Sequence, residues 1–137
     1  MAPLTPTLRI PVRSREDVEQ ARRDVDALVS SLGFSAAIRY TLALVVSELG
    51  TNLARYGHEG ELTISAVQEP RGRGVEIVSR DRGPGIADVD VALQDSFSTG
   101  GGLGSGLPAV RRLSHDFSIR SSSEGTWIEM RLWEPPS

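Results

Sequence analysis

Two residue types are missing from this chain of 137 residues: it has no cysteine, and its 15 basic residues are all arginine. The absence of cysteine excludes thiol catalysis, disulfides and thiolate metal sites. The absence of lysine excludes Schiff-base chemistry and the phosphate-binding lysine of P-loop proteins and common protein kinases. The net charge of −3 also argues against a protein that binds nucleic acid through bulk positive charge.

Long apolar segments are scarce as well. The longest, Thr41 to Val46, is far shorter than the roughly 18 residues of a membrane span, and residues 1–11 lack the apolar segment of a signal peptide. We therefore expect a cytoplasmic protein that makes no membrane contact. The length is that of a single domain covering residues 1–137, which can bury a core without disulfides or a structural metal.

Apolar residues at helical spacing predict two successive helices. Ser14 followed by Asp17 is typical of a helix start, and Gly33 is typical of the residue after a helix end. Ser35 can cap a second helix that runs to about Gly57. The predicted apolar faces are Val18, Ala21, Val25, Leu28, Val29 and Leu32 in the first helix, and Ile38, Leu42, Val45, Val46, Leu49, Leu53 and Tyr56 in the second.

Alternating apolar and polar residues predict short strands before and after these helices. Polar turns at Glu69 to Gly74 and at Ser121 to Gly125 each join two of the strands, and a third helix is predicted over Leu107 to Leu113. This order predicts an α+β two-layer sandwich with the helices on one face of a mostly antiparallel sheet. The predicted strands are Thr7 to Val12, Leu62 to Val67, Val75 to Ser79, Phe117 to Arg120 and Trp127 to Leu132.

Four polar residues of the second predicted helix form a first candidate site. Glu48, Thr51, Asn52 and Arg55 are spaced to share one face, opposite the apolar one. The carboxylate of Glu48 can accept a proton, and the amide oxygen of Asn52 can bind a hard cation such as Mg²⁺. Asn52 is also the single asparagine of the chain. A solvated helix face without chemistry is the alternative interpretation.

A second cluster, at residues 81–86, directly follows a predicted strand. Asp81 can accept a hydrogen bond from an amino group of a ligand. Gly83 and Gly85 allow the backbone to turn sharply and to approach a flat ring, on which Ile86 can pack. An ordinary turn explains the same residue types equally well.

A third cluster, Ser98 to Leu107, is rich in glycine and opens the third predicted helix. Ordering so many glycines costs chain entropy, so we expect their backbone N–H groups to surround a ligand, of which phosphate is the usual one. The cluster is not a P-loop, since it lacks Gly-Lys-Ser/Thr. It is not a dinucleotide-binding fingerprint, since Ser105 or Leu107 stands where the third glycine should be. A flexible linker is the alternative.

In this order, the three clusters resemble the nucleotide-binding motifs of the GHKL, or Bergerat-fold, ATP-binding family. Glu48 to Asn52 match its N box, Asp81 to Ile86 its first glycine box and Gly102 to Leu107 its second, while Gly125-Thr126 resembles a late Gly-Thr element. The resemblance extends from about Asp24 to Leu132 and implies the Bergerat ATP-binding fold. The glycine-rich segment is most similar to that of the RsbT-type serine/threonine switch kinases of bacterial partner-switching systems.

The resemblance implies a role for each matching residue. Glu48 would be the general base for the acceptor hydroxyl, Asn52 would carry Mg²⁺, and Asp81, supported by Thr126, would hold the adenine amino group. Arg55 is a candidate contact to phosphate or to a partner, and Arg111 and Arg112 are further candidates. The other implied ATP contacts are Gly83, Gly85, Ile86, Gly100, Gly101, Gly102, Leu103, Gly104, Ser105, Gly106 and Leu107.

The resemblance also implies an activity and partners. It implies a serine/threonine-protein kinase that uses ATP and Mg²⁺ to phosphorylate a STAS-domain protein and, once released, binds a PP2C-type phosphatase. One alternative is an anti-sigma factor kinase that sequesters a sigma factor, which is the less favoured partner. Another is a nucleotide-regulated binding module that transfers no phosphate.

Overall fold

A computed structural model of the chain describes residues 2–86, 89, 93 and 106–134. The predicted order of helices and strands is confirmed, and one further strand, β1, is too short to show any alternation in the sequence. The elements are β1 (Ala2–Pro3), β2 (Leu8–Pro11), α1 (Arg15–Ser31), α2 (Ala36–Tyr56), β3 (Glu61–Glu69), β4 (Gly72–Asp81), α3 (Leu107–Leu113), β5 (Asp116–Ser122) and β6 (Gly125–Trp133).

The strands form one sheet in which every pairing is antiparallel. The order is β1-β3-β4-β6-β5, with β2 also paired to β3 beside β1. β3 and β4 are longer than predicted, because the pair Glu69 and Gly72 continues the ladder and leaves only Pro70 and Arg71 in the turn. The ends of both strands carry mostly polar residues, so the alternation of apolar and polar residues did not predict this extension.

The two faces of the sheet differ in chemistry. On one face, apolar side chains such as Ile64, Ile77 and Met130 are fully buried in the core that α1 and α2 also enter. The other face carries arginine–glutamate ion pairs. In one of them, the Arg80 Nη2 atom lies 2.7 Å from the Glu61 Oε2 atom. The predicted α+β two-layer architecture is therefore confirmed, and it directs every alternate residue of a strand towards the helices.

Local signals in the sequence define both ends of α1. The Ser14 hydroxyl accepts a hydrogen bond from the Asp17 N–H at 3.2 Å, and the Asp17 carboxylate accepts one from the Arg13 N–H at 2.8 Å. Gly33 follows the last turn with a φ of +77°, a conformation that glycine adopts without strain. The predicted start and end of this helix are thus confirmed.

α2 is the longest element, and it begins and ends where the sequence predicts. Ser35 caps its first turn and Gly57 follows its last residue. The predicted apolar face is buried except for Tyr56, which is 62% exposed. That prediction was wrong because Tyr56 stands in the last turn, where helical periodicity continues but the helix has reached the edge of the core. None of the helices in the described part of the chain is long and apolar enough to cross a membrane.

Candidate functional site

The carboxyl-terminal ends of α2 and β4 meet at one edge of the structure. The Arg82 N–H donates a hydrogen bond to the His58 carbonyl oxygen at 2.8 Å. A Cβ atom added to Gly57 would lie 3.3 Å from the Cβ of Asp81. The carboxyl-terminal end of α2, which follows the first sequence cluster, therefore lies beside the second cluster.

Asp81 is the last residue of β4 and anchors the turn that follows it. Its Oδ1 atom accepts a hydrogen bond from the Gly83 N–H at 2.7 Å. Gly85 has a φ of +82°, and a Cβ atom there would stand 2.0 Å from the Ser122 carbonyl oxygen, so only glycine fits. The sharp turn predicted for this cluster is present, and it is packed directly against β5.

A row of polar side chains crosses three strands beside this turn. Asp81 on β4 is the cross-strand partner of Thr126 on β6, which in turn is the partner of Ser121 on β5. The Ser121 and Thr126 hydroxyl oxygens are 2.8 Å apart, and the Ser121 hydroxyl also accepts a hydrogen bond from the Ile86 N–H at 2.7 Å. The structure thus brings together the predicted residues Asp81, Ile86 and Thr126.

Ser121 is a member of this row that the sequence analysis missed. It was assigned to a turn extending over Ser121 to Gly125, whereas the strands continue to Ser122 and resume at Gly125. A tight turn over residues 123–124 would have placed Ser121 opposite Thr126. A shorter predicted turn would therefore have identified Ser121 as a strand residue.

Gly125 allows β6 to begin directly beside the end of β4. Its φ is +147°, and a Cβ atom on it would lie 2.0 Å from the Asp81 carbonyl oxygen. Any larger residue would push the two strands apart at the pair of Asp81 and Thr126. The Gly-Thr element therefore sets the close approach of the strands as well as supplying a hydroxyl.

Glu48 lies on the side of α2 that faces the start of α3. Burial raises the pKa of its carboxyl group above the ordinary value, and a hydrogen bond from the Gly106 backbone N–H partly opposes this rise. Glu48, Thr51 and Asn52 are all half-buried. The predicted polar face of α2 is therefore partly covered, because α3 packs beside α2 at this level.

Asn52 follows Glu48 by one helical turn, so that their Cβ atoms are about 5–6 Å apart. Within the described residues, no group of three or more histidine, cysteine, aspartate or glutamate side chains could hold a metal ion. The amide of Asn52 supplies one oxygen of the kind that Mg²⁺ binds. A magnesium ion there would take its other ligands from water and phosphate, which is the usual arrangement for Mg²⁺.

The three candidate arginines all lie at the surface. Arg55 is exposed near the end of α2, two turns beyond Glu48, and Arg111 and Arg112 are exposed in the last turn of α3.

Most of the third cluster falls outside the residues that the structure describes. Gly106, with a φ of +65°, precedes α3, and Leu107 is buried in its first turn. The contacts predicted for these two residues, and for the turn after β4, remain predictions. The cluster members outside the described ranges are Ser98, Thr99, Gly100, Gly101, Gly102, Leu103, Gly104 and Ser105.

An open cleft of about 890 Å³ adjoins the same end of the sheet, but it lies mainly over the charged face. It is lined by Glu61, Arg80 and Trp127 on that face, and it reaches Asp81 and Thr126 at its border. Glu48 and Asn52 are on the helix side of the sheet. The cleft is therefore distinct from the space between α2, the turn after β4 and α3.

Known proteins similar to this chain cover most of its length. Residues 11–132 match the family model of the histidine kinase-like ATPase domain. Serine/threonine-protein kinase RsbT of Bacillus subtilis (strain 168) is 37% identical over 118 residues, which are 85% of this chain and 89% of that protein. The anti-sigma F factor of Heyndrickxia coagulans is 36% identical over 132 residues, or 90% of this chain and 88% of that protein.

Solved structures show the same fold. The RsbU and RsbW domains of a Mycobacterium tuberculosis protein give a TM-score of 0.68 at 18% identity over 97% of this chain, which spans 34% of that longer chain. The histidine kinase domain of a blue-light-activated histidine kinase from Erythrobacter litoralis gives 0.50 at 16% identity over 93% of this chain and 68% of that one. These similarities confirm the fold class predicted from the sequence.

Proposed function

This chain belongs to the family of histidine kinase-like ATPase domains, and we propose that it is a serine/threonine-protein kinase that transfers phosphate from Mg-ATP to a STAS-domain protein. The family expected from the three sequence motifs is thus confirmed. The kinase proposal is supported by the similarity to serine/threonine-protein kinase RsbT over most of both chains. The anti-sigma F factor relatives support the same partner-switching class.

The observation that carries the proposal is the arrangement of polar groups along α2. From Gly57, which adjoins Asp81, back to Glu48 is nine residues of helix, or about 13 Å at roughly 1.5 Å per residue. This length suits a nucleoside triphosphate lying along the helix. Its base would meet Asp81, Ser121 and Thr126, and its terminal phosphate would lie near Glu48.

In this orientation the residues of the chain divide the chemistry between them. The Asp81 carboxylate would accept a hydrogen bond from the adenine amino group, and Asn52 would hold Mg²⁺, which offsets the negative charge of the phosphates. Glu48 would accept the proton of the acceptor hydroxyl while the hydroxyl oxygen attacks the γ-phosphorus, and the bond from that phosphorus to the β-phosphate oxygen would break to release ADP. A carboxylate with a raised pKa is a stronger base than a fully solvated one.

We also propose that the phosphorylated STAS-domain protein releases the kinase, which then binds a PP2C-type phosphatase. The second candidate function is an anti-sigma factor kinase, which is favoured by the anti-sigma F factor of Heyndrickxia coagulans at 36% identity. A pull-down from the native cell distinguishes the two functions. Recovery of a sigma factor supports the second, and recovery of STAS-domain proteins with a phosphatase supports the first.

The direct test is transfer of labelled phosphate from ATP to purified STAS-domain proteins encoded in the same genome. We expect Glu48→Gln to lose about 10²–10⁴-fold in transfer rate while retaining ATP binding, since only the proton acceptor is removed. Glu19→Gln on the exposed side of α1 is the matched control and should transfer at the wild-type rate. Wild-type transfer by Glu48→Gln would exclude the assigned role of this residue.

Two further variants separate binding from transfer. Asn52→Ala should raise the magnesium concentration needed for half-maximal transfer, because the protein ligand of the ion is lost, and Asp81→Ala should lose ATP affinity. If the wild-type protein binds ATP but phosphorylates no partner, the chain is a nucleotide-regulated binding module instead.

A further inference from the structure

One side of α2 is exposed but carries no charge along much of its length. Tyr40 is 69% exposed and Leu44 is 39% exposed, and residues 40–47 include no charged side chain. A surface helix normally turns charged residues to solvent. α1 follows that rule, since its exposed residues include Arg15, Glu16, Glu19, Arg22 and Arg23. The exposed side of α2 therefore has a composition suited to contact with another protein.

The apolar pair is aligned with Glu48. Tyr40, Leu44 and Glu48 are spaced by four residues and so share one side of the helix. At roughly 1.5 Å per residue, Leu44 lies about 6 Å and Tyr40 about 12 Å from Glu48 along the helix axis. Arg55, which is exposed, lies about 10 Å beyond Glu48 in the opposite direction. We call these four residues the α2 stripe.

Resting on the function proposed above, we propose that the α2 stripe is the docking surface for the protein substrate. The acceptor hydroxyl must reach Glu48, whose half-buried position lies in the middle of the stripe. A folded protein that brings a hydroxyl to that point must also cover the exposed surface of α2 that the nucleotide leaves free, which includes Tyr40 and Leu44. Tyr40 and Leu44 provide apolar area there that is available for burial.

The stripe defines the chemistry of its occupant. The substrate would present apolar side chains about 6–12 Å from the acceptor hydroxyl, over Tyr40 and Leu44, and an acidic side chain on the other side, near Arg55. The apolar contacts would contribute most of the affinity and the charged contact would fix the direction. Apolar contacts at one end of the stripe and a charged contact at the other would select one orientation of the substrate along α2.

The first test is the double variant Tyr40→Gln, Leu44→Gln, which keeps good helix formers at both sites. We expect the KM for the STAS-domain substrate identified in the transfer assay to rise at least tenfold, while kcat and the KM for ATP stay unchanged. Leu4→Gln is the matched control, because Leu4 is 40% exposed, close to the 39% of Leu44, but lies outside the stripe. An unchanged KM for the protein substrate in the double variant would overturn the proposal.

Direct binding separates failure of this proposal from failure of the proposed function. The affinity of the kinase for the same STAS-domain protein, measured calorimetrically with ADP and Mg²⁺, does not depend on transfer. If the wild-type protein binds but transfers nothing, the kinase function fails, while an affinity loss in the double variant still supports docking at the stripe. If the wild-type protein does not bind at all, docking at the stripe is overturned as well.

The absence of cysteine allows a second, independent test. A single thiol introduced as Leu44→Cys or as Leu4→Cys can carry a photo-crosslinker with no competing thiol in the chain. We expect the Leu44→Cys protein to crosslink to the STAS-domain protein and the Leu4→Cys protein not to do so. If the Leu44→Cys protein crosslinks only to a second copy of itself, and the double variant shifts the sedimentation of the kinase, the stripe is an interface between copies and the proposal is wrong.

Discussion

Substitution of Gly125 by alanine tests the junction between β4 and β6 most directly. The new Cβ atom would lie 2.0 Å from the Asp81 carbonyl oxygen, whereas real Cβ atoms essentially never approach within 3.0 Å, so the strands must separate by about 1 Å. Gly72→Ala is the matched control. Gly72 also has a positive φ, of +124°, but nothing lies within 4 Å of a Cβ atom added to it.

The difference between these two variants isolates the close contact. An alanine in either sparsely populated backbone conformation should cost about 1–3 kcal/mol of unfolding free energy. Gly125→Ala should cost about 1–3 kcal/mol more, which corresponds to two backbone hydrogen bonds weakened around Asp81 and Thr126. A total of this size is a large part of the roughly 5–15 kcal/mol that stabilises an ordinary domain.

Urea unfolding and nucleotide binding provide the measurements. Both tryptophans of the chain, Trp127 and Trp133, lie on β6, so their fluorescence reports the strand that begins at Gly125. We expect ATP affinity to fall at least tenfold in Gly125→Ala and to stay unchanged in Gly72→Ala. Equal destabilisation of the two variants, together with wild-type ATP affinity in Gly125→Ala, would refute the reasoning.

Three other predictions follow from contacts of single residues. Ser121→Ala should reduce the free energy of unfolding by about 1–3 kcal/mol and weaken ATP binding several-fold, because the Ile86 N–H loses its acceptor. Ser118→Ala, on the exposed side of the same strand, should change neither quantity. The pKa of Glu48 is raised, so as the pH falls this carboxylate is protonated at a higher pH than a solvated glutamate. Transfer should be lost at the same pH, because the protonated group can no longer accept a proton. A profile of transfer rate against pH should show this fall above the ordinary pKa of glutamate. A fall at the ordinary pKa would contradict the prediction. Leu49→Ala in the core should lower the free energy of unfolding by about 2–5 kcal/mol, whereas Leu44→Ala, five residues earlier on the exposed side, should change it by less than about 1 kcal/mol.

The raised pKa of Glu48 also affects stability, with a sign opposite to that of an ion-paired carboxylate. Because the folded state disfavours the charged form, burial of Glu48 lowers stability at neutral pH, and this cost disappears as the pH falls through the raised pKa. Glu48→Gln removes the buried charge. The variant should therefore be at least as stable as the wild-type protein at neutral pH, although its transfer rate is greatly reduced.

The helix boundaries and the fold class could be predicted from the sequence. Ser14, Gly33 and Ser35 mark helix ends through contacts with residues three or four positions away, and such contacts depend little on the rest of the chain. The apolar periodicity of α1 and α2 likewise marked most of the core residues, although Leu28 and Leu32 are only partly buried and Tyr56 is exposed. Three motifs in their order were enough to predict the family, which the match over residues 11–132 confirms.

The candidate site was only partly predictable. The sequence named Glu48, Asn52, Asp81 and Thr126, and the roles assigned to them stay predictions until the variants are measured. Ser121 was missed, since its position opposite Thr126 depends on the register between β5 and β6. A shift of one residue in that register would turn Ser121 to the other face of the sheet.

The sequence by itself determined the helix ends and the alternation of the strands, because these depend on residues that are close neighbours along the chain. It also supplied the residue types of the site. Only the tertiary structure decided which groups meet: Gly57 with Asp81, Gly125 with the Asp81 carbonyl and Glu48 with the Gly106 N–H. The partners in these contacts are 24 to 58 residues apart. Their distances follow from how the core packs and how the strands pair, and local sequence preferences do not specify either.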